Sequence, residues 1–179
     1  MKANALRHHR GFTMIEMLTV ITIIIVLAGL VFAGTRFAKE MQKRKMAEIQ
    51  IKLLANACEE FYLDNNFYPG RTDTTPSHGR DMSKELYSDL YWDSNRDGSG
   101  PQADSRQKIY LSELDPESNK QGWTEGRQAD VMILDPWGNE YRYRKGQEYG
   151  GFEIWSAGPD GRTSPNNPKH KDNRDDIRP

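Results

Sequence analysis

The chain has 179 residues, 25 basic against 26 acidic side chains for a net charge of −1, and a mean hydropathy of −0.86. Near-neutrality excludes the strong field of a nucleic-acid-binding protein, and the length holds one membrane segment and one modest soluble domain. The single cysteine, Cys58, excludes an intramolecular disulfide, so a small domain of this kind needs another staple, of which a bound metal is one.

The chain begins with a short basic leader, Met1 to Arg10, carrying Lys2, Arg7 and Arg10 and no acid. Gly11-Phe12-Thr13-Met14-Ile15-Glu16 follows, at the front of an apolar run. From Met17 to Gly34 that run carries no charge, and with Phe12 to Ile15 it reaches the ~20 residues needed to cross a bilayer. Glu16 is costly inside such a segment and requires a partner or a function. Basic residues flank both ends, with Arg36, Lys39, Lys43, Arg44 and Lys45 on the far side, so charge alone leaves the orientation open. A plain signal anchor, or a secretory signal cut after Ala28-Gly29 or Ala33-Gly34, are the alternatives at this point.

The helical pattern continues past the apolar run. Arg36 to about Asp64 contains neither proline nor glycine, and Met46, Ile49, Leu53, Ala57 and Phe61 recur at three- and four-residue spacing, widened by Leu54 and Cys58. Lys45, Glu48, Lys52 and Glu59 occupy the other face. The pattern predicts one helix of roughly 50 residues, ~75 Å long, apolar all round in its first half and amphipathic in its second. Asp64-Asn65-Asn66 and Tyr68-Pro69-Gly70 end it.

Residues 71–130 are rich in Gly, Ser, Asp, Asn and Arg, and read as a long, partly ordered insertion anchored by Glu85–Trp92 and Ile109–Leu114. Order returns at Val131. Asp135-Pro136-Trp137-Gly138-Asn139 turns the chain, Glu140–Arg144 alternates as a strand, and Gly151–Trp155 is the returning strand. The tail from Ala157 to Pro179 shows no strand or helix pattern and is dense in Asp, Asn, Gly and Pro.

The leader with Gly11, Phe12 and Glu16 resembles the class III signal of the type IV pilin superfamily, which covers type IV pilins and the pseudopilins of type II secretion. Tyr62–Pro69, Leu134–Tyr143, and Ile154–Gly161 with Asp175-Asp176-Ile177 resemble the corresponding stretches of major pseudopilins. The chain departs from them at Ala33 and Ile25, where proline and glycine are common, and in its longer 72–130 connection. The resemblance implies an α+β fold: a long N-terminal helix, transmembrane in its first half, whose amphipathic half packs on a small antiparallel sheet, with a long loop insertion and a metal-binding C-terminal loop. It divides the chain into a leader (1–11), a transmembrane and filament-core helix (12–35) and an extracytoplasmic domain (36–179). A prepilin peptidase is expected to cut between Gly11 and Phe12, after which Phe12 is methylated. Glu16 is expected to meet the N-terminal amine of a neighbouring identical subunit. Minor pseudopilins and the inner-membrane secretion platform are the further expected partners, and the subunit sits in the inner membrane, N-terminus cytoplasmic, before joining a periplasmic filament. A type IV pilin for adhesion, motility or DNA uptake is the rival reading, and a binding domain on a signal anchor another.

Two constellations carry candidate chemistry. In the tail, the resemblance implies calcium held by Asp160, Asp175, Asp176 and the main-chain oxygens of Ala157 and Asn173. Calcium takes six to eight oxygens in flexible geometry, which an irregular acidic loop supplies. The second is Asp93-Ser94-Asn95-Arg96-Asp97-Gly98 with Asp104 at the twelfth position, an EF-hand-like spacing. It departs from that pattern in having aspartate for the final glutamate, and Gly100 and Pro101 inside the loop. No catalytic set is visible: His8 and His9 lie in the leader, and His78 and His170 stand alone in loops.

Overall fold

The computed structural model describes residues 12–70, 82–101, 107–119, 121–146, 151–164, 167 and 169–179. Helix α1 runs Met14–Asn65, 52 residues without interruption. The chain divides into two units, Met1–Met41 and Gln42–Pro179.

In the first unit, α1 is apolar on every side as far as Phe32 except for Glu16, and no described residue of the unit covers it. Ile15, Leu18, Ile25, Leu30 and Phe32 are all at least 66% exposed. The polar groups along it are turned back on the helix itself. Thr19 Oγ1 donates to the Ile15 carbonyl at 2.7 Å, and Thr22 Oγ1 to the Leu18 carbonyl at 2.8 Å. A helix whose backbone and hydroxyls are satisfied internally is the form that can enter hydrocarbon.

In the second unit, α1 lays Ala47, Ile51, Leu54, Ala57, Cys58 and Phe61 into the core. The i, i+4, i+7 spacing puts these on one face. The expected stripe holds at Leu54, Ala57, Cys58 and Phe61 and is rotated only at its start, where Met46 and Ile49 are exposed and Leu53 is half-buried. The rotation has a polar cause. Gln50 is buried on the core face because its Oε1 accepts the Tyr141 hydroxyl at 2.7 Å, so the apolar pattern alone mis-phases the helix. Asn66, with φ of 61°, ends α1 in the left-handed conformation that asparagine tolerates, and Asn65 Nδ2 caps the Phe61 carbonyl at 2.9 Å.

The insertion, expected from its composition to be only partly ordered, holds regular elements. Among its described residues are α2 (Met82–Tyr87), a π-helical turn (Ser88–Trp92), a 3-10 turn (Ser112–Leu114) and strand β1 (Thr124–Arg127), which pairs antiparallel with β2 (Asp130–Ile133). Leu86, Tyr87, Leu90 and Leu114 are fully buried and Trp123 is 1% exposed. At roughly 1.5–3 kcal/mol per buried large apolar side chain, these contribute as much to the core as the helix does. Ser83 clamps α2 to β2, accepting the Ile133 N–H at 2.6 Å and donating to the Ile133 carbonyl at 3.3 Å.

Strands β3 (Arg142–Gly146) and β4 (Gly151–Trp155) form a second antiparallel pair, with Tyr143 opposite Ile154. The single small sheet of the sequence reading is therefore two two-stranded sheets. An isolated bridge joins Leu134 to Glu140, and another joins Ser156 to Ile177. The second bridge returns the patternless tail to the end of β4, and Ile177 is buried against the core.

Candidate functional site

At the start of α1, Thr13 is the N-cap and Glu16 the third helical residue. The Glu16 carboxylate accepts both the Thr13 N–H and the Thr13 hydroxyl, each at 2.8 Å, while Thr13 Oγ1 accepts the Glu16 N–H at 3.3 Å. This is a reciprocal capping box. Phe12 is 75% exposed beside it. Gly11 and the leader lie outside the described residues.

The C-terminal acidic loop is built on the Asp135–Asn139 turn. Asp135 is buried, and its carboxylate accepts the N–H groups of Trp137 at 3.0 Å and Asn139 at 2.8 Å and the Ser156 hydroxyl at 2.6 Å. Burial pushes the Asp135 carboxyl up, and those three donors oppose it. Ser156 Oγ in turn accepts the Gly158 N–H at 3.0 Å, and Asn139 Nδ2 donates to the Gly158 carbonyl at 2.8 Å. The turn thus fixes Ala157-Gly158, where the loop begins. Only glycine fits position 158: its φ is +65°, and a Cβ there would lie 2.4 Å from the Asp175 carbonyl oxygen.

That close approach brings the two ends of the loop together. The Asp160 N–H donates to Asp175 Oδ2 at 3.3 Å. Thr163 Oγ1 lies 2.9 Å from Asp176 Oδ2, and accepts the Trp155 indole N–H at 3.0 Å. Arg178 Nη2 pairs with the same Asp176 oxygen at 3.1 Å. Asn173 stitches the longer middle of the loop, accepting the Ser164 N–H at 2.6 Å and donating to the carbonyls of Ser164 and Asn167. The Asp176 side chain is 1% exposed, yet its second oxygen, Oδ1, has no hydrogen-bond partner among the described residues. Burial pushes its carboxyl up, Thr163 and Arg178 pull it down, and the adjacent Asp175 raises it further. A buried carboxylate oxygen with no donor costs free energy unless a cation meets it, and this orphan fits a hard cation. Among the described residues no three His, Cys, Asp or Glu side chains gather as a ready ligand group, so any cation here must draw on main-chain oxygens as well.

The second acidic loop folds on itself. Both oxygens of the buried Asp93 accept the Gly98 N–H at 3.2 Å, and Asp97 accepts the Ser99 N–H at 2.8 Å and an Asn95 amide hydrogen at 2.9 Å. Asp104 lies outside the described residues. Sequence reasoning missed Thr163 and Arg178, which carry no motif, and the Asp135–Ser156 bond, which joins two motifs it had read separately.

Similarity to known proteins covers most of the chain. The family described as prokaryotic N-terminal methylation motif matches residues 6–32, and the family described as type II secretion system (T2SS), protein G matches residues 96–175. The type II secretion system core protein G of Escherichia coli (strain K12) is 32% identical over 152 residues, covering 85% of this chain and 83% of that one. Its counterpart in Pseudomonas aeruginosa is 26% identical and covers 87% of each. The crystal structure of the major pseudopilin from the type 2 secretion system of enterohaemorrhagic Escherichia coli aligns at 24% identity over 78% of this chain and 84% of that one, with a TM-score of 0.42. The second of the two matched families begins inside the insertion, after α2 and the π-helical turn, and takes in β1. With an N-terminal methylation motif at one end and 32% identity to a core protein G across most of its length, the chain belongs to the type II secretion system protein G family.

Proposed function

We propose that this chain is a major pseudopilin, a subunit that polymerises with identical copies into the periplasmic pseudopilus of a type II secretion system and so helps drive protein export. The subunit waits in the inner membrane as a single-pass protein, N-terminus in the cytoplasm and the domain after residue 35 in the periplasm. A prepilin peptidase removes residues 1–11, and the new amine of Phe12 is methylated. Minor pseudopilins and the inner-membrane platform receive it. Its work is mechanical, and the reading assigns it no catalytic step.

One observation carries the reading. Among the described residues α1 is apolar all round and uncovered as far as Phe32, with Glu16 as the sole charge among residues 12–35. Such a surface needs lipid before assembly and neighbouring helices after it. Glu16 then discriminates between the two states. In lipid it is held only by its own Thr13. In a filament it gains an ammonium group, and a buried acid is tolerated best when paired.

Calcium belongs to the same reading. Asp160, Asp175, Asp176 and the carbonyls of Ala157 and Asn173 would hold it once the carboxylates, not gathered among the described residues, close on the ion, and the orphaned Asp176 oxygen supports this. A bound cation would neutralise the adjacent carboxylates and fix the loop. The loop of Asp93, Asn95, Asp97 and Asp104 is proposed as a second site that has to give up its internal hydrogen bonds to bind.

The test is reconstitution. Co-expressed with a prepilin peptidase and the secretion platform, the chain should lose eleven residues, leave methyl-Phe12 as its N-terminus and form filaments visible by electron microscopy. An intact N-terminus beside an active peptidase, or processed protein that never polymerises, overturns the reading.

A further inference from the structure

The proposed cation site is bordered by an arginine that already pairs with one of its carboxylates. Arg178 sends Nη2 to Asp176 Oδ2 at 3.1 Å and Nη1 to Glu153 Oε1. Glu153 also receives Arg144 through its other oxygen, with Arg144 Nε at 2.7 Å. Both guanidiniums lie over the Trp155 ring, Arg178 at 5.0 Å and Arg144 at 5.3 Å from its centre. Arg178 is therefore a cation with two acidic partners. One partner belongs to the loop and the other to β4, so it can leave the first without losing its neutralisation.

We infer that Arg178 sets the affinity of the C-terminal loop for its divalent cation by competing with that cation for Asp176. The inference rests on the calcium reading above. Without metal, the guanidinium supplies the positive charge that the buried Asp176 carboxylate needs, and does so at one oxygen only. A divalent ion approaching Asp176 meets a like charge on the same carboxylate. Binding must either displace Arg178 toward Glu153 or bear its repulsion, and each lowers affinity. Arg178 lies over Trp155 while it pairs with Asp176, so its displacement gives the event an optical signal, and the indole also donates to Thr163, which touches Asp176.

The experiment is calorimetric titration of the full-length, detergent-solubilised protein with calcium chloride, paired with thermal melts in chelator and in calcium. Arg178→Gln should bind calcium about threefold tighter than the parent, the scale of one partly exposed ion pair, while melting lower in chelator. Arg178→Lys keeps the charge and should sit near the parent on both measures. Glu153→Gln removes the alternative partner, leaves Arg178 to Asp176 alone and should weaken binding. Asp176→Asn is the control that removes the site. If the parent gives no calcium heat and no calcium-dependent rise in melting temperature, the calcium reading itself falls. If the parent binds and Arg178→Gln binds equally or more weakly, Arg178 is a support of the site rather than a competitor, and the inference is overturned while the calcium reading stands.

Discussion

Thr13 and Glu16 hold each other at the first turn of α1, the carboxylate taking both the backbone and the hydroxyl hydrogen of Thr13 at 2.8 Å. A helix that starts in or near hydrocarbon has orphan N–H groups and no water to satisfy them, so Glu16 stabilises its own helix before it meets any neighbour. Cap and charge are separable. Glu16→Gln keeps a residue that can close a capping box but carries no charge. It should give protein that inserts normally, shows unchanged helicity by circular dichroism and fails to form filaments. Glu16→Ala loses both. Filaments from Glu16→Gln at parental yield would show that the cap, not the charge, is what assembly uses.

Leu86 tests whether the insertion is core. It is fully buried on α2, so Leu86→Ala should destabilise the protein by about 2–5 kcal/mol. Leu63, 77% exposed at the end of α1, is the matched control, and Leu63→Ala should change the melting temperature little. Thermal unfolding by circular dichroism separates them.

The Gln50–Tyr141 bond sets the phase of the helix on the sheet side of the core. Tyr141→Phe strands the buried Gln50 oxygen and should cost about 1–3 kcal/mol. Gln50→Met combined with Tyr141→Phe removes both polar groups and should recover much of that loss. A double-mutant cycle by chemical denaturation measures the coupling, and additive losses would mean the pair is not coupled.

Cys58 is fully buried, and burial, with Glu59 and Asp89 nearby, holds its thiol well above the usual range. The thiolate is the reactive form. The native protein should therefore resist a thiol-reactive dye near pH 8 and react stoichiometrically once denatured. Fast labelling of native protein would place Cys58 outside the core.

Calcium should raise the melting temperature of the parent and a chelator should lower it, linkage giving about 2.7 kcal/mol at a hundredfold excess over the dissociation constant. Asp160→Ala should remove most of the gain and Asp97→Ala little. Magnesium should substitute poorly, because it demands tight octahedral geometry. Equal gains with both ions would argue for a diffuse acidic surface instead of a site.

The long helix, the β3–β4 hairpin and the anchors of the insertion were legible because each rests on local periodicity or on apolar residues amid polar ones. What escaped was non-local. The start of the helix face was mis-phased because Gln50 is a polar residue made acceptable by Tyr141, 91 positions away. Strand β1 was missed because Thr124-Glu125-Gly126-Arg127 has no apolar alternation, and pairing with Val131 and Met132 makes it a strand. In the acidic loop the carboxylates were legible, but the residues that position them were not. Thr163 and Arg178 matter through where the folded chain puts them, beside Asp176.

The bridge between Ser156 and Ile177 sets an order on the folding of this domain. Ile177 gives its N–H to the Ser156 carbonyl and takes the Ser156 N–H in return, both at 3.0 Å. A polypeptide made from its N-terminus delivers α1 and β4 before Ile177. The domain therefore cannot close around this core residue until residue 177 has been made. A variant lacking Ile177 would keep the whole of α1 and every described strand, and still leave the acidic loop without its anchor.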